Sequence, residues 1–136
     1  MRSKTFLALD VGEKRIGVAT GDAAIRIAIP LETIVVDGTE IEQIARIVVD
    51  EGVDTIVVGY PRNQSGEATA QTAYVEQFAE QLKDIAPHLE FQDESLTSVL
   101  AEERLKSLGK PYAKGDIDMQ AAAIILQDYL EGTIRV

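Results

Sequence analysis

The sequence predicts an α/β domain: a mixed five-stranded sheet, antiparallel hairpin strands followed by parallel βαβ units, with helices on both faces. Three observations predict it. The chain opens with three apolar runs, at 5–10, 15–20 and 31–36, with no helical pattern between them. Helical and β-branched patterns then alternate. The last segment is apolar on nearly every side over 121–126, the mark of a buried helix. Strands joined by short turns pair antiparallel, whereas strands separated by helices pair parallel and need cover on both faces.

The elements follow in order. Residues 5–10 read as a short buried strand ending on Asp10. Gly12 opens a turn, and 15–20 returns as the second strand of a hairpin. Pro30 precedes the third run, and Asp37-Gly38 is a turn signal. Thr39 with Glu42 three residues on predicts a capping box. Ile41, Ile44, Ala45 and Val48 recur at helical spacing, and Gly52 closes that helix. Residues 55–59 are a β-branched run, read as a buried parallel strand. A polar loop over 60–66 leads to a second helix with Tyr74, Phe78, Leu82 and Ile85 on one stripe. Residues 89–92 read as a short strand, and 97–108 as a helix ended by Gly109 and Pro111. The stretch 110–115 reads as a mobile loop, and the last helix as starting near Asp118.

The 136 residues fit a single domain spanning 1–136, long enough for a core without covalent staples. Apolar residues make up 46% and charged residues 26%, a globular composition. There is no cysteine, which excludes a disulfide framework and a thiolate zinc site. No run is long enough to span a bilayer, and the first residues lack a signal-peptide pattern. A cytoplasmic location is expected, with no membrane partner, as a monomer or homodimer. The net charge of −10 argues against a nucleic-acid partner. Its distribution weakens that objection. Arg104, Lys106, Lys110 and Lys114 form a stretch with no acid, while Glu40, Glu42, Asp50, Glu76 and Glu80 fall on predicted helix faces.

In such a sheet, sites form outside the carboxyl ends of parallel strands. Asp10 and Asp93-Glu94 fall there, as does Gly59-Tyr60-Pro61, and Asp118 falls at a helix start. Three carboxylates converging on one edge repel unless a cation lies between them. Oxygen ligands suit Mg²⁺ or Mn²⁺, and paired ions can drive phosphodiester hydrolysis. Taken singly, Asp10 could be a turn residue, Glu94 a solvated loop acid, and Asp118 a helix-dipole partner. Taken together they favour metal. Gly12 followed by Lys14 and Arg15 could admit a phosphate backbone or be an ordinary hairpin tip. The loop with Arg62 and Asn63 leads into a helix N-terminus, a natural anion site, or is a plain connection. His88, the only histidine, reads as solvent-facing. Ser95 and Thr97 have no histidine partner, which argues against a serine nucleophile.

Four segments together resemble one family. Residues 8–19, from Ala8-Leu9-Asp10-Val11-Gly12 through Gly17-Val18-Ala19, look like the first motif of the YqgF family, also called RuvX. Ile56-Val57-Val58-Gly59-Tyr60-Pro61-Arg62-Asn63 with Gly66 resembles its second motif. Asp93-Glu94-Ser95-Leu96-Thr97-Ser98 with Ala101-Glu102 resembles the third, and Ile117-Asp118 through Leu130 the closing helix. The match runs in order from about Phe6 to Glu131. The resemblance implies a ribonuclease H-like fold. It implies a metal-dependent nuclease of two-metal type maturing precursor 16S ribosomal RNA; some members are described as Holliday-junction resolvases. The family's three acids fall on Asp10, Glu94 and Asp118, expected as catalytic residues and metal ligands. Gly12, Lys14, Arg15, Arg62, Asn63, Arg104, Lys110 and Lys114 are expected to hold substrate. Two departures stand out: the family usually has Arg where this chain has Ser95, and Asp116 adds negative charge before the last acid.

Other functions compete with this one. A DNA junction resolvase would use the same chemistry, and only substrate separates it from an RNA nuclease. An actin-like nucleotide-binding module also carries D-x-G after a strand but needs two domains. A catalytically weak RNA- or ribosome-associated factor fits the acidic surface.

Overall fold

The chain folds as β1 (Thr5–Val11), β2 (Arg15–Asp22), β3 (Ala28–Val35), α1 (Glu40–Glu51), β4 (Val53–Pro61), α2 (Ala70–Glu80), β5 (His88–Glu94), α3 (Thr97–Ser107) and α4 (Lys114–Ile134). This computed structural model describes residues 4–61, 67–94 and 97–134. The five strands form one sheet in the order β3-β2-β1-β4-β5. The β1–β2 and β2–β3 pairs are antiparallel, and the β1–β4 and β4–β5 pairs are parallel. The mixed five-stranded sheet read from the sequence is therefore the observed one.

Strand alternation sorts the core. Leu7, Leu9 and Val11 of β1 enter a cluster with Ile16, Val18, Ile56 and Val58, covered by Ile44 and Val48 of α1 and by Val75 and Phe78 of α2. Phe6 and Ala8 turn the other way, joining Ala19, Val57, Ile125, Leu126 and Leu130 under α4. Each fully buried leucine or isoleucine here contributes roughly 1.5–3 kcal/mol. α3 packs on α4 through Ala101, Ala121 and Ile124. Ala121 to Leu126 are all buried, because α4 has sheet on one side and α3 on another.

Four local expectations are corrected. Thr39 makes no side-chain cap bond. Asp37 takes its N–H and hydroxyl instead, and the Glu40 carboxylate accepts from the Asp37 and Gly38 amides, so the turn consumes the groups that a box would use. A reciprocal box forms at Thr69 and Thr72 of α2. That helix ends at Glu80, and tight turns carry Leu82 and Ile85, although Leu82 stays buried. The third strand starts at Ala28 and includes Pro30, which an edge strand tolerates. Finally, α4 starts at Lys114, a full turn before Asp118. The Asp116 carboxylate reaches back to accept the Ala113 N–H at 2.9 Å, which starts the helix early and leaves 108–113 as the loop. Gly52 closes α1 in the left-handed conformation as expected (φ 63°).

At the entry to β3, Gln127 of α4 accepts the Ala28 N–H at 2.9 Å and donates to the Arg26 carbonyl at 3.0 Å. One side-chain amide thus satisfies two backbone groups at this end of the edge strand.

Candidate active site

Asp10 lies on central β1 and shares the face of Phe6 and Ala8, the one that α4 covers. Its neighbours across the sheet are both glycines. It pairs with Gly17 of β2. On the other side Leu9 pairs with Val58, so Gly59 of β4 comes next, beside Asp10. A Cβ on Gly17 would overlap the Asp118 carbonyl, and one on Gly59 would overlap the Glu94 carboxylate and lie 2.7 Å from Ile125 Cδ1. These bare positions let the α4 backbone settle at Asp118 on one side and the Glu94 side chain fold over the sheet on the other. The sequence offered Gly17 only inside a longer motif and Gly59 only as part of a strand end. A glycine inside a strand, marking close approach, was the available signal.

The three acids therefore meet at one edge. Burial pushes the Asp10 pKa up to about 7, and the charges of Glu94 and Asp118 add to the rise. Burial also raises the pKa of Glu94, and Glu94 Oε2 is buried without a hydrogen-bond partner. Asp118 differs: Arg15 Nε donates to its Oδ2 at 2.6 Å. Among the described residues, no group of three metal-binding side chains is set to hold an ion as it stands. The donor chemistry nevertheless fits a hard divalent cation. All three groups offer carboxylate oxygens, and one of those oxygens is buried and unsatisfied.

Residues expected to hold substrate divide into groups. Gly12, Lys14 and Arg15 line an open cleft of 390 Å³ with Glu13, Gln71 and Asp118. The Gly12 N–H goes to the Arg15 carbonyl, closing the hairpin. Gln71, which sequence reading missed, donates to the Val11 carbonyl and so ties α2 to the hairpin. Lys114 is exposed and four residues before Asp118, hence on the same side of α4. Lys110 is exposed in the preceding loop. Arg104 lies apart. It faces Asp128, whose pKa is raised by burial and by Glu131 and partly restored by Arg104. Asp128 is ten residues beyond Asp118, about 15 Å along the helix. Arg62, Asn63 and Ser95 lie outside the described residues. His88 is exposed at the start of β5, as expected.

The chain resembles known proteins over nearly its whole length. A protein of Chloroflexus aurantiacus named "Putative pre-16S rRNA nuclease" is 48% identical, with 96% of this chain and 89% of that one covered. A protein of the same name from Synechocystis is 43% identical, covering 92% and 86%. Among solved structures, Thermus thermophilus RuvC in complex with Holliday junction substrate superposes with a TM-score of 0.59 over 96% of each chain, at 12% identity. That likeness shows a shared fold, the ribonuclease H-like arrangement expected above. The family model described as "RuvX: Holliday junction resolvase" matches residues 4–132, and with these relatives it establishes that the chain belongs to the RuvX family.

Proposed function

We propose that this protein is a metal-dependent endonuclease that hydrolyses phosphodiester bonds in precursor 16S ribosomal RNA. The observation that carries the reading is Asp10 seated between two glycines, with the Glu94 carboxylate brought over one and the α4 backbone at Asp118 over the other. A buried Asp10 whose pKa is raised by burial and by the charges of Glu94 and Asp118 costs the fold stability unless it serves a cation. Asp10, Glu94 and Asp118 would hold Mg²⁺ or Mn²⁺, which when bound supplies an activated water and neutralises charge on the leaving oxygen. The chain's own cations do the remaining work. Arg15 and Lys14 beside the cleft would pair the phosphate backbone, and Lys114 and Lys110 would extend that track along the start of α4. RNA is favoured over DNA because relatives at 40–48% identity carry the ribosomal RNA name. Ribosomal RNA processing in turn supports a cytoplasmic location, and among the described residues no helix is long and apolar enough to cross a membrane.

The test is direct. Purified protein and its Asp10→Asn variant are incubated with Mn²⁺ and labelled precursor RNA, beside a four-way DNA junction. Cleavage of the RNA by wild type alone is the expected result. Cutting of the junction with the RNA left intact transfers the assignment to the resolvase reading. If neither substrate is cut in Mn²⁺ or Mg²⁺, the nuclease reading fails.

A further inference from the structure

The Arg15–Asp118 contact joins two residues expected to bind different things, one the phosphate and the other the metal. We infer that Arg15 is a positioning residue that occupies Asp118 until a phosphate draws it away, so that nucleic acid and metal load the site together. This rests on the metal-dependent reading above and specifies its order.

The contact is short and charge-assisted, with Arg15 Nε 2.6 Å from Asp118 Oδ2. It spans 103 residues of sequence, so it is a tertiary choice and not a local accident. It neutralises one of three acids and leaves the other two without that help: Glu94 Oε2 remains buried and unpartnered. A divalent ion at the three acids would need Asp118, and Arg15 competes for the same oxygens.

Arg15 is also placed to leave. Its backbone is held, because its carbonyl accepts from Gly12 and its Cα is paired with Val35. The side chain is not enclosed. It is 37% exposed and lines the open cleft with Lys14 and Gln71. The guanidinium carries five N–H donors in a fork that matches phosphate, and the contact with Asp118 uses one of them. A phosphate entering beside Lys14 that takes the guanidinium edge carrying Nε, by two parallel bonds, displaces Asp118 from it. Because coupling between two ligands is reciprocal, whatever a phosphate does for metal affinity, metal does for phosphate affinity.

The inference is tested by Mn²⁺ binding without nucleic acid, read from the electron paramagnetic resonance signal of the free aquo ion. Wild type, Arg15→Gln, Arg15→Lys and Asp10→Asn are compared in chloride and in sulfate at matched ionic strength. In chloride, Arg15→Gln is expected to bind Mn²⁺ about tenfold more tightly than wild type, a loss of competition worth one charge-assisted contact. Arg15→Lys, which keeps the charge, should stay near wild type. Inorganic sulfate should tighten Mn²⁺ binding to wild type and leave Arg15→Gln unchanged. If Arg15→Gln binds no more tightly while melting at the wild-type temperature, Arg15 is not a competitor and the inference is overturned. If that variant unfolds, the sulfate comparison on wild type decides, and no tightening overturns it equally. Asp10→Asn binding Mn²⁺ as tightly as wild type would instead overturn the metal site itself.

Discussion

Asp10 titrates where most aspartates do not, and the direction of that shift sets a pH signature. Its folded pKa of about 7 lies above the ordinary 3.8, chiefly through burial and then through Glu94 and Asp118. Between those values the folded form keeps a proton that the unfolded form loses. Metal-free protein should therefore lose stability as the pH rises from about 4 to 7, then level off, by at most about 4 kcal/mol. Urea midpoints measured across that range in a chelator should show the decline in wild type and a flatter profile in Asp10→Asn. The glycine beside it makes a second prediction. Gly59→Ala places a Cβ against the Glu94 carboxylate and Ile125. Overpacking of this kind costs about 1–3 kcal/mol, and moving the carboxylate proposed above to hold metal should lower cleavage by tenfold or more. Thermal melts and single-turnover cleavage of one RNA separate the two effects.

At the scale of the elements, α4 carries the tightest constraint. Its backbone rests on Gly17 so closely that a methyl group there would overlap the Asp118 carbonyl. The helix cannot yield locally, because Thr33 donates to the Gly115 carbonyl at 2.6 Å and Leu126 and Leu130 are locked beneath it. Gly17→Ala should cost more than Gly59→Ala, on the order of 3 kcal/mol or above, read as the shift in urea midpoint at constant slope. Much of this arrangement was legible in the sequence. Strand alternation and the apolar run at Ala121–Leu126 gave the layers, and strand ends gave Asp10 and Glu94. The start of α4 was not legible, because the cap that begins it is an aspartate reaching back to Ala113, and Asp116 reads equally well as surface charge. The Arg15–Asp118 pair was not legible either, since nothing local in a hairpin tip announces a partner in the last helix.

For the whole molecule, a net charge of −10 makes nucleic-acid binding depend on where the few cations stand. Lys110 and Lys114 are exposed, in the loop before α4 and at its start, whereas Arg104 exerts its charge on Asp128, about 15 Å along α4 from Asp118. Neutralising Lys110 and Lys114 to glutamine should weaken RNA binding and flatten its salt dependence, by about one slope unit per lost phosphate contact. Arg104→Gln should leave the slope unchanged. Fluorescence anisotropy of a labelled RNA in chelator, over a series of salt concentrations, measures all three. A slope altered equally by Arg104→Gln would show that the track continues along α3.

The Gln127 amide bears on how long the protein keeps. The outer strand presents Ile29, Leu31 and Val35 to solvent, and a bare strand end of this kind invites another chain to add on. Gln127 occupies both the Ala28 N–H and the Arg26 carbonyl where such an addition would begin. Hydrolysis of that amide to a carboxylate would keep the acceptor and abolish the donor, leaving the Arg26 carbonyl for a newcomer. Shelf life in solution would then be governed by one slow covalent event far from the acidic edge. Gln127→Glu, which mimics the aged form, should raise light scattering on prolonged incubation while RNA cleavage by the protein that stays in solution is unaffected.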